Sequence, residues 1–342
     1  MSDFIFATCR SGSETALKRE VAARHGDLLT PAFMRPQLIT WKAKKPLDPA
    51  FELGAVFAAV SGRSLGKAQT AEEVAAVVNA AGMTPAQLHV FPRLVSEDGV
   101  ESAVWARMDV LAKEIEKSVP ISQQSIRNGD EVLDVIVGED NEPLFVGTHR
   151  HSISSHPCPG ALPRAILQPT APSRAWLKME QALAWLELDK AEALKGKVVL
   201  ELGCAPGGAS YSLLQRGAEV IGVDTGAMDE RVLNFSGPSG AKFTHLATSA
   251  AELLKNTLPQ HVDIVVSDMN LEPSLVLKYV EELCYSLEPR LLILTFKMNS
   301  GAIENQLPYL IRRLQGFAPR PMRAKQLHAN RKDVCVITGN LG

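Results

Sequence analysis

Leu200-Glu-Leu-Gly-Cys-Ala-Pro-Gly-Gly208 is the stretch from which the rest of the chain can be read. The apolar run Val198-Val-Leu200 leads into it, and the helical pattern Ala209 to Arg216 follows. A second apolar run, Glu219-Val-Ile-Gly-Val223, ends on Asp224. Strand, glycine loop, helix, strand and acid make the first half of a nucleotide-binding α/β unit. Gly203, Gly207 and Gly208 let the backbone turn sharply and approach a ligand closely. Asp224, at the carboxyl end of its strand, is placed to accept hydrogen bonds from a ribose diol. The spacing is not that of a dinucleotide fingerprint, because Ala205 stands where the second glycine belongs. A phosphate loop closing on Gly-Lys-Ser/Thr is also missing.

Downstream, His261-Val-Asp-Ile-Val-Val266 reads as a buried parallel strand ending at Ser267-Asp268-Met269. Leu291-Leu-Ile-Leu-Thr-Phe296 reads as the next, ending at Lys297. Helices are expected over 173–188, 274–287 and 303–314. The final strands, 323–327 and 333–338, are expected to be antiparallel, since the short Leu327-His-Ala-Asn330 connection cannot cross over. Ligands of open α/β sheets bind at the carboxyl ends of strands. Asp268 and Lys297 are therefore expected at the same edge as the glycine loop. Lys178 stands out on the helix before the first strand, and Asp333 opens the last one.

Upstream, strand 3–10, helix Glu14 to His25 and strands within 28–41 suggest a small α+β module over 1–50. A second α+β module is expected over 51–150. It would hold helix 71–81, started by a Thr70/Glu73 capping box, helix 105–117, and a hairpin of strands 132–138 and 143–148. Residues 151–171 are proline-rich and aperiodic, which marks a linker. The predicted fold is thus two α+β modules ahead of a Rossmann-like α/β domain over 172–342, with a mostly parallel sheet. His149, His151, His156 and Cys158 do not have zinc-ligand spacing, so no metal is assigned.

Composition narrows the class. The chain has 342 residues, 46% hydrophobic and 22% charged, which is globular in character. No apolar run reaches the roughly 18 residues of a membrane span, and Met1-Ser-Asp-Phe4 has no basic stretch, so no signal peptide is expected. Five scattered cysteines without C-x-x-C spacing suit free thiols in a reducing cytoplasm. The net charge of −2 gives no global attraction for nucleic acid. Local excesses exist, at Arg35, Lys42, Lys44 and Lys45, and over 301–342, where seven basic residues face two acidic ones. Such clusters suit a phosphate backbone or a solvated basic face equally.

The E-L-G-x-x-P-G-G stretch resembles the first motif of S-adenosylmethionine (SAM) methyltransferases. Ser173-Arg-Ala-Trp-Leu-Lys178, Leu202 to Gly208, Ser267-Asp-Met269 and Phe296-Lys297 resemble, in order, the motifs of the FtsJ/RrmJ-like ribose 2′-O-methyltransferases. The whole chain more closely resembles the bacterial 23S rRNA (cytidine-2′-O) methyltransferase M family. It does so through Ala171-Pro-Ser-Arg174 with Leu177-Lys-Met-Glu180, Val223-Asp-Thr-Gly-Ala-Met228, and Gln326-Leu327 before Arg331-Lys-Asp-Val334. The match is specific over 171–342 and loose over 1–170.

The resemblance implies a Lys-Asp-Lys-Glu tetrad, which falls on Lys178, Asp268, Lys297 and Asp333. It implies SAM as cofactor, held by Gly203, Cys204, Ala205, Pro206, Gly207, Gly208, Asp224 and Asp268. It further implies an RNA substrate, with a ferredoxin-like module at 1–50 and a THUMP-like RNA-binding module at 51–150. The family's glutamate is Asp333 here, one methylene shorter. Where the family has an adenine-binding aspartate after the third strand, Thr248 and Ser249 stand, and they are expected to bind the cofactor's adenine through a hydroxyl or backbone N–H. Two rivals remain open: an RNA- and SAM-binding protein with weak catalysis, and a SAM methyltransferase acting on another RNA position. The oligomeric state is not readable from the sequence.

Overall fold

The computed structural model describes residues 3–122, 125–237, 240–253 and 258–341, so the Met1-Ser2 dipeptide read above lies outside it. The chain divides into two units, Met1–Ile166 and Leu167–Gly342.

The first unit holds β1 (Phe4–Thr8), α1 (Glu14–His25), β2 (Leu29–Arg35), β3 (Leu38–Ala43), β4 (Ser61–Ala68), α2 (Ala71–Ala80), β5 (Gln87–Pro92), α3 (Ser102–Glu116), β6 (Glu131–Val137) and β7 (Leu144–Arg150). Its seven strands form one sheet in the order β2-β3-β1-β4-β7-β6-β5. The boundary expected at residue 50 does not interrupt this sheet. β1 lies between β3 and β4 and is antiparallel to both, so segments 1–50 and 51–150 share one hydrogen-bonded surface. The expected capping box forms in a shifted version. Glu73 N donates to Thr70 Oγ1 at 3.3 Å, and the Glu73 carboxylate accepts from Gln69 N rather than from the cap residue itself.

The linker expected over 151–171 is not all linker. Pro159–Ala161 make a single 3-10 turn, and Ala161 and Leu162 are buried in the first unit's core. Gly160 adopts φ +66°, and a Cβ there would lie 2.6 Å from the Phe91 ring. Prolines interrupt periodicity without preventing burial, so the segment's apolar residues still pack.

The second unit adds α4 (Ala175–Trp185), β8 (Val198–Leu202), α5 (Gly208–Gln215), β9 (Glu219–Val223), α6 (Glu230–Leu233), β10 (Lys242–Leu246), β11 (Ile264–Ser267), α7 (Pro273–Leu287), β12 (Leu291–Lys297), α8 (Gly301–Gln315), β13 (Met322–Lys325) and β14 (Asp333–Gly339). The sheet order is β10-β9-β8-β11-β12-β14-β13. β10, β9, β8, β11 and β12 are parallel neighbours. β14 is antiparallel to both β12 and β13, as the short 327–330 connection requires. The central strands β8, β9, β11 and β12 are largely apolar and buried, as parallel strands covered on both faces are. From β8 the chain builds outward to β9 and β10, then returns to add β11 and β12 on the other side. That reversal opens a crevice at the carboxyl ends of β8 and β11, the place where ligands bind in such sheets.

α4 and α5 are fastened to each other above this crevice. Glu180 accepts from Ser212 Oγ at 2.7 Å and from the Arg216 guanidinium at 2.5 Å, and Trp176 Nε1 donates to Gln215 at 2.9 Å. Gly208 permits the approach, since a Cβ there would sit 2.2 Å from Ser173 Oγ and 2.8 Å from Trp176 N. Gly208→Ala is expected to force the two helices apart and to cost about 1–3 kcal/mol. A thermal melt checks this, and an unchanged Tm would contradict the close approach.

Candidate active site

The glycine loop leaves β8 at Gly203, whose φ is +78°. A Cβ there would come within 2.8 Å of Met269 Cγ and 3.0 Å of Met269 N, so the loop lies directly on the segment that carries Asp268. Gly207, at φ +113°, is likewise pressed by Val232 and Met228. These glycines are thus required by the protein's own packing, which the sequence alone does not reveal. Cys204 is buried, its Sγ is 3.6 Å from Met228 Sδ, and burial raises its thiol pKa.

Asp224 follows β9 and braces the loop. Its Oδ2 accepts from Ala205 N at 3.0 Å and its Oδ1 from Gly226 N at 2.7 Å. His245 Nε2 lies 3.0 Å from the Asp224 carbonyl. The carboxylate is therefore oriented by two backbone donors, and each oxygen keeps acceptor capacity for a ligand hydroxyl. Thr248 and Ser249 follow β10 at the same edge. Ser249 Oγ donates to Glu252 at 2.8 Å, so this hydroxyl serves its own turn.

Asp268, Lys297 and Asp333 come to the same edge by three routes. Asp268 follows β11 and Lys297 ends β12, so parallel strands deliver both. Asp333 arrives because β14 runs the other way, and its first residue pairs in register with Lys297. Lys178 reaches in from α4. Lys297 Nζ donates to Asp268 at 2.6 Å and lies 3.4 Å from Asp333. Lys178 Nζ donates to Asp333 at 2.7 Å and to Asp268 at 3.2 Å. The four side chains are 10–17% exposed, so the pairs are only partly screened by water. Burial by itself would lower the Lys178 pKa, but Asp268 and Asp333 outweigh it and hold it above the usual 10.5. Lys178 is a fixed positive charge.

Glu201 is a site residue that the sequence reading passed over. It is the penultimate residue of β8, is 1% exposed, and its Oε2 is 2.6 Å from Ser210 Oγ. Burial, with the negative charges of Asp268 and Asp224 adding to it, pushes its carboxyl up to about 8. A glutamate inside the apolar run Val198–Leu202 was the available signal.

The arrangement can hold a ligand with a ribose diol and cationic groups beside an alternating quartet of lysines and carboxylates. Residues 171–306 match the model of the FtsJ-like methyltransferase family, and this segment is an FtsJ-like methyltransferase domain. The chain is 30% identical over 190 residues to a ribosomal RNA large subunit methyltransferase M of Azoarcus sp. (strain BH72), covering 52% of this chain and 49% of that one. It is 28% identical over 236 residues to the protein of the same name from Thauera aminoaromatica, covering 66% and 60%. The chain spans about half the length of the curated relatives it matches. TrmN from Thermus thermophilus aligns with 98% of this chain and 99% of its own at 16% identity and a TM-score of 0.36.

Glu201 provides a test of the site's electrostatics. Its folded pKa lies above its ordinary 4.5. Its contribution to stability is therefore complete below the ordinary value and is lost as the pH rises through about 8. Glu201→Gln should gain stability over the wild type progressively from pH 5 to 8, seen as a widening Tm difference. A constant difference across that range would contradict a buried neutral carboxyl.

Proposed function

We propose that this chain is a SAM-dependent RNA methyltransferase that acts on a ribose 2′-hydroxyl, with a cytidine of the large-subunit ribosomal RNA as the favoured target. One observation carries the reading: the Lys178–Asp268–Lys297–Asp333 quartet sits at the sheet edge that also bears the glycine loop and Asp224. A ribose hydroxyl is a weak nucleophile and has to lose its proton as it attacks. Positioned proton acceptors supply that need.

The residues around the loop suit SAM. Asp224 offers acceptors to a ribose diol, while the Asp224 and Asp268 carboxylates make the loop's surroundings negative, as a ligand with sulfonium and ammonium charges requires. When bound, SAM supplies an electrophilic methyl group. The chain's own residues do the rest. Asp268 orients Lys297 through the 2.6 Å bond, and Lys178 stays charged against Asp333. Lys297 takes the hydroxyl proton as base, beside the fixed cation Lys178. Asp333 reaches both lysines despite its short side chain, which supports its reading as the fourth member of the quartet. Alignment of the reacting groups supplies much of the rate.

The first unit is read as the RNA-recognition half, its segments 1–50 and 51–150 being the ferredoxin-like and THUMP-like parts of one shared sheet. Arg35, Lys42, Lys44 and Lys45 would add phosphate contacts there. The reducing cytoplasm is the compartment that fits an RNA substrate and five free cysteines. Among the described residues no helix is long and apolar enough to cross a membrane.

Two expectations follow. Lys297→Ala and Lys297→Arg should both lose methyl transfer to RNA while retaining SAM affinity, because arginine cannot give up its proton. Wild-type turnover by the arginine variant would overturn the base assignment. Asp224→Ala should weaken SAM by roughly 1–3 kcal/mol in calorimetry, and an unchanged affinity would remove Asp224 from the cofactor site.

A further inference from the structure

The strands that bring Asp268, Lys297 and Asp333 to the site carry a second layer beneath them. Side chains alternate along a strand, so the positions two residues inward from Asp268, Lys297 and Asp333 are Val266, Thr295 and Cys335. β12 and β14 keep this layer in register, with Thr295 opposite Cys335 just as Lys297 is opposite Asp333. Between this layer and α4 lies a small pocket, with Lys178 and Asp268 in its lining and room for a single water-sized molecule.

Asn330 lines the same pocket, from the connection between β13 and β14. It is 1% exposed, and neither its amide nitrogen nor its amide oxygen bonds any group among the described residues. Its backbone is fixed separately, Asn330 N donating to Leu327 O at 3.0 Å. A buried amide with no protein partner brings an uncompensated desolvation that a leucine there would avoid. Packing does not account for the residue, whereas its position under Lys178 and Asp268 does.

We propose that Asn330 is a positioning residue for the proton-transfer quartet. Its amide binds one water in the pocket, and that water donates to the Asp268 carboxylate. Asp268 accepts from Lys297 and Lys178, and the water adds a further donor from the pocket that fixes its angle toward Lys297. The charged and titratable groups that face this point are Lys178 from α4, Asp268 after β11, Lys297 on β12, and Asp333 and Cys335 on β14. Glu201 on β8 acts from further away. The inference rests on the function proposed above.

The test uses Asn330→Leu and Asn330→Asp in the full chain, assayed for transfer of labelled methyl from SAM to ribosomal RNA across a pH series. Asn330→Leu should lower kcat about tenfold or more, with the RNA KM and the SAM affinity within about twofold of wild type. Asn330→Asp adds a negative charge beside the lysines, so the pH at which the rate rises should move up by about half a unit or more. A purely structural role would lower the melting temperature without the selective loss of kcat in the leucine variant at unchanged KM and SAM affinity. Wild-type kcat in the leucine variant, or a wild-type pH profile in the aspartate variant, would overturn the proposal. Should the leucine variant fail to fold, the aspartate profile decides. Lack of transfer by the wild type itself would instead sink the proposed function and this inference with it.

Discussion

The site depends on the pairing of Lys297 with Asp333 across β12 and β14. Every parallel strand of the second unit brings its last residue to the crevice edge. An acid that opens a strand can reach that edge only if the strand runs the other way. The antiparallel β14 therefore supplies a carboxylate from a part of the chain that no parallel addition could use. Once there, Asp333 and Asp268 each contact both lysines, and like charges are kept apart by unlike ones. Such an arrangement resists the loss of any member, because removing one partner of a partly buried pair leaves a charge uncompensated, commonly at about 3–5 kcal/mol.

Lys178 is held by a different constraint. It belongs to α4, and α4 is fixed to α5 by Glu180, Ser212, Arg216, Trp176 and Gln215. α5 begins at the glycine loop, so the element that would cradle the cofactor also locates a lysine of the quartet. Gly208 is the meeting point, and its missing side chain is what brings the two helices together. In the proposed function, cofactor binding and proton handling would share one support, which suits a reaction that depends on alignment.

Much of the second unit was legible in the sequence because its strands are short apolar runs that stop at polar residues. Asp224, Asp268 and Lys297 are strand-end positions, and the short 327–330 connection already demanded an antiparallel final pair. Other features depend on distant or conformational facts that spacing does not carry. The expected boundary at residue 50 disappears in the structure because β1 pairs on both sides, and strand partners are not local in sequence. Part of the proline-rich 151–171 segment packs into a core because Ala161 and Leu162 are apolar, whatever their neighbours. The bracing of Asp224 by Ala205 and Gly226 needs the loop's backbone angles. Glu201 gave a visible clue, an acid inside an apolar strand, but its raised pKa follows from complete burial beside Asp224 and Asp268. Asn330 gave none, since an asparagine in a turn is ordinary.

The most direct test of the central claim is the chemical position of the transferred methyl. Ribosomal RNA from cells lacking this protein would be incubated with the purified chain and isotopically labelled SAM, then digested and resolved by nucleoside mass spectrometry. The account predicts label on the ribose of one nucleoside, a 2′-O-methylcytidine, with the adjoining phosphodiester resistant to alkali because its 2′-hydroxyl is blocked. Label on a base nitrogen or carbon, or none on RNA at all, would contradict it.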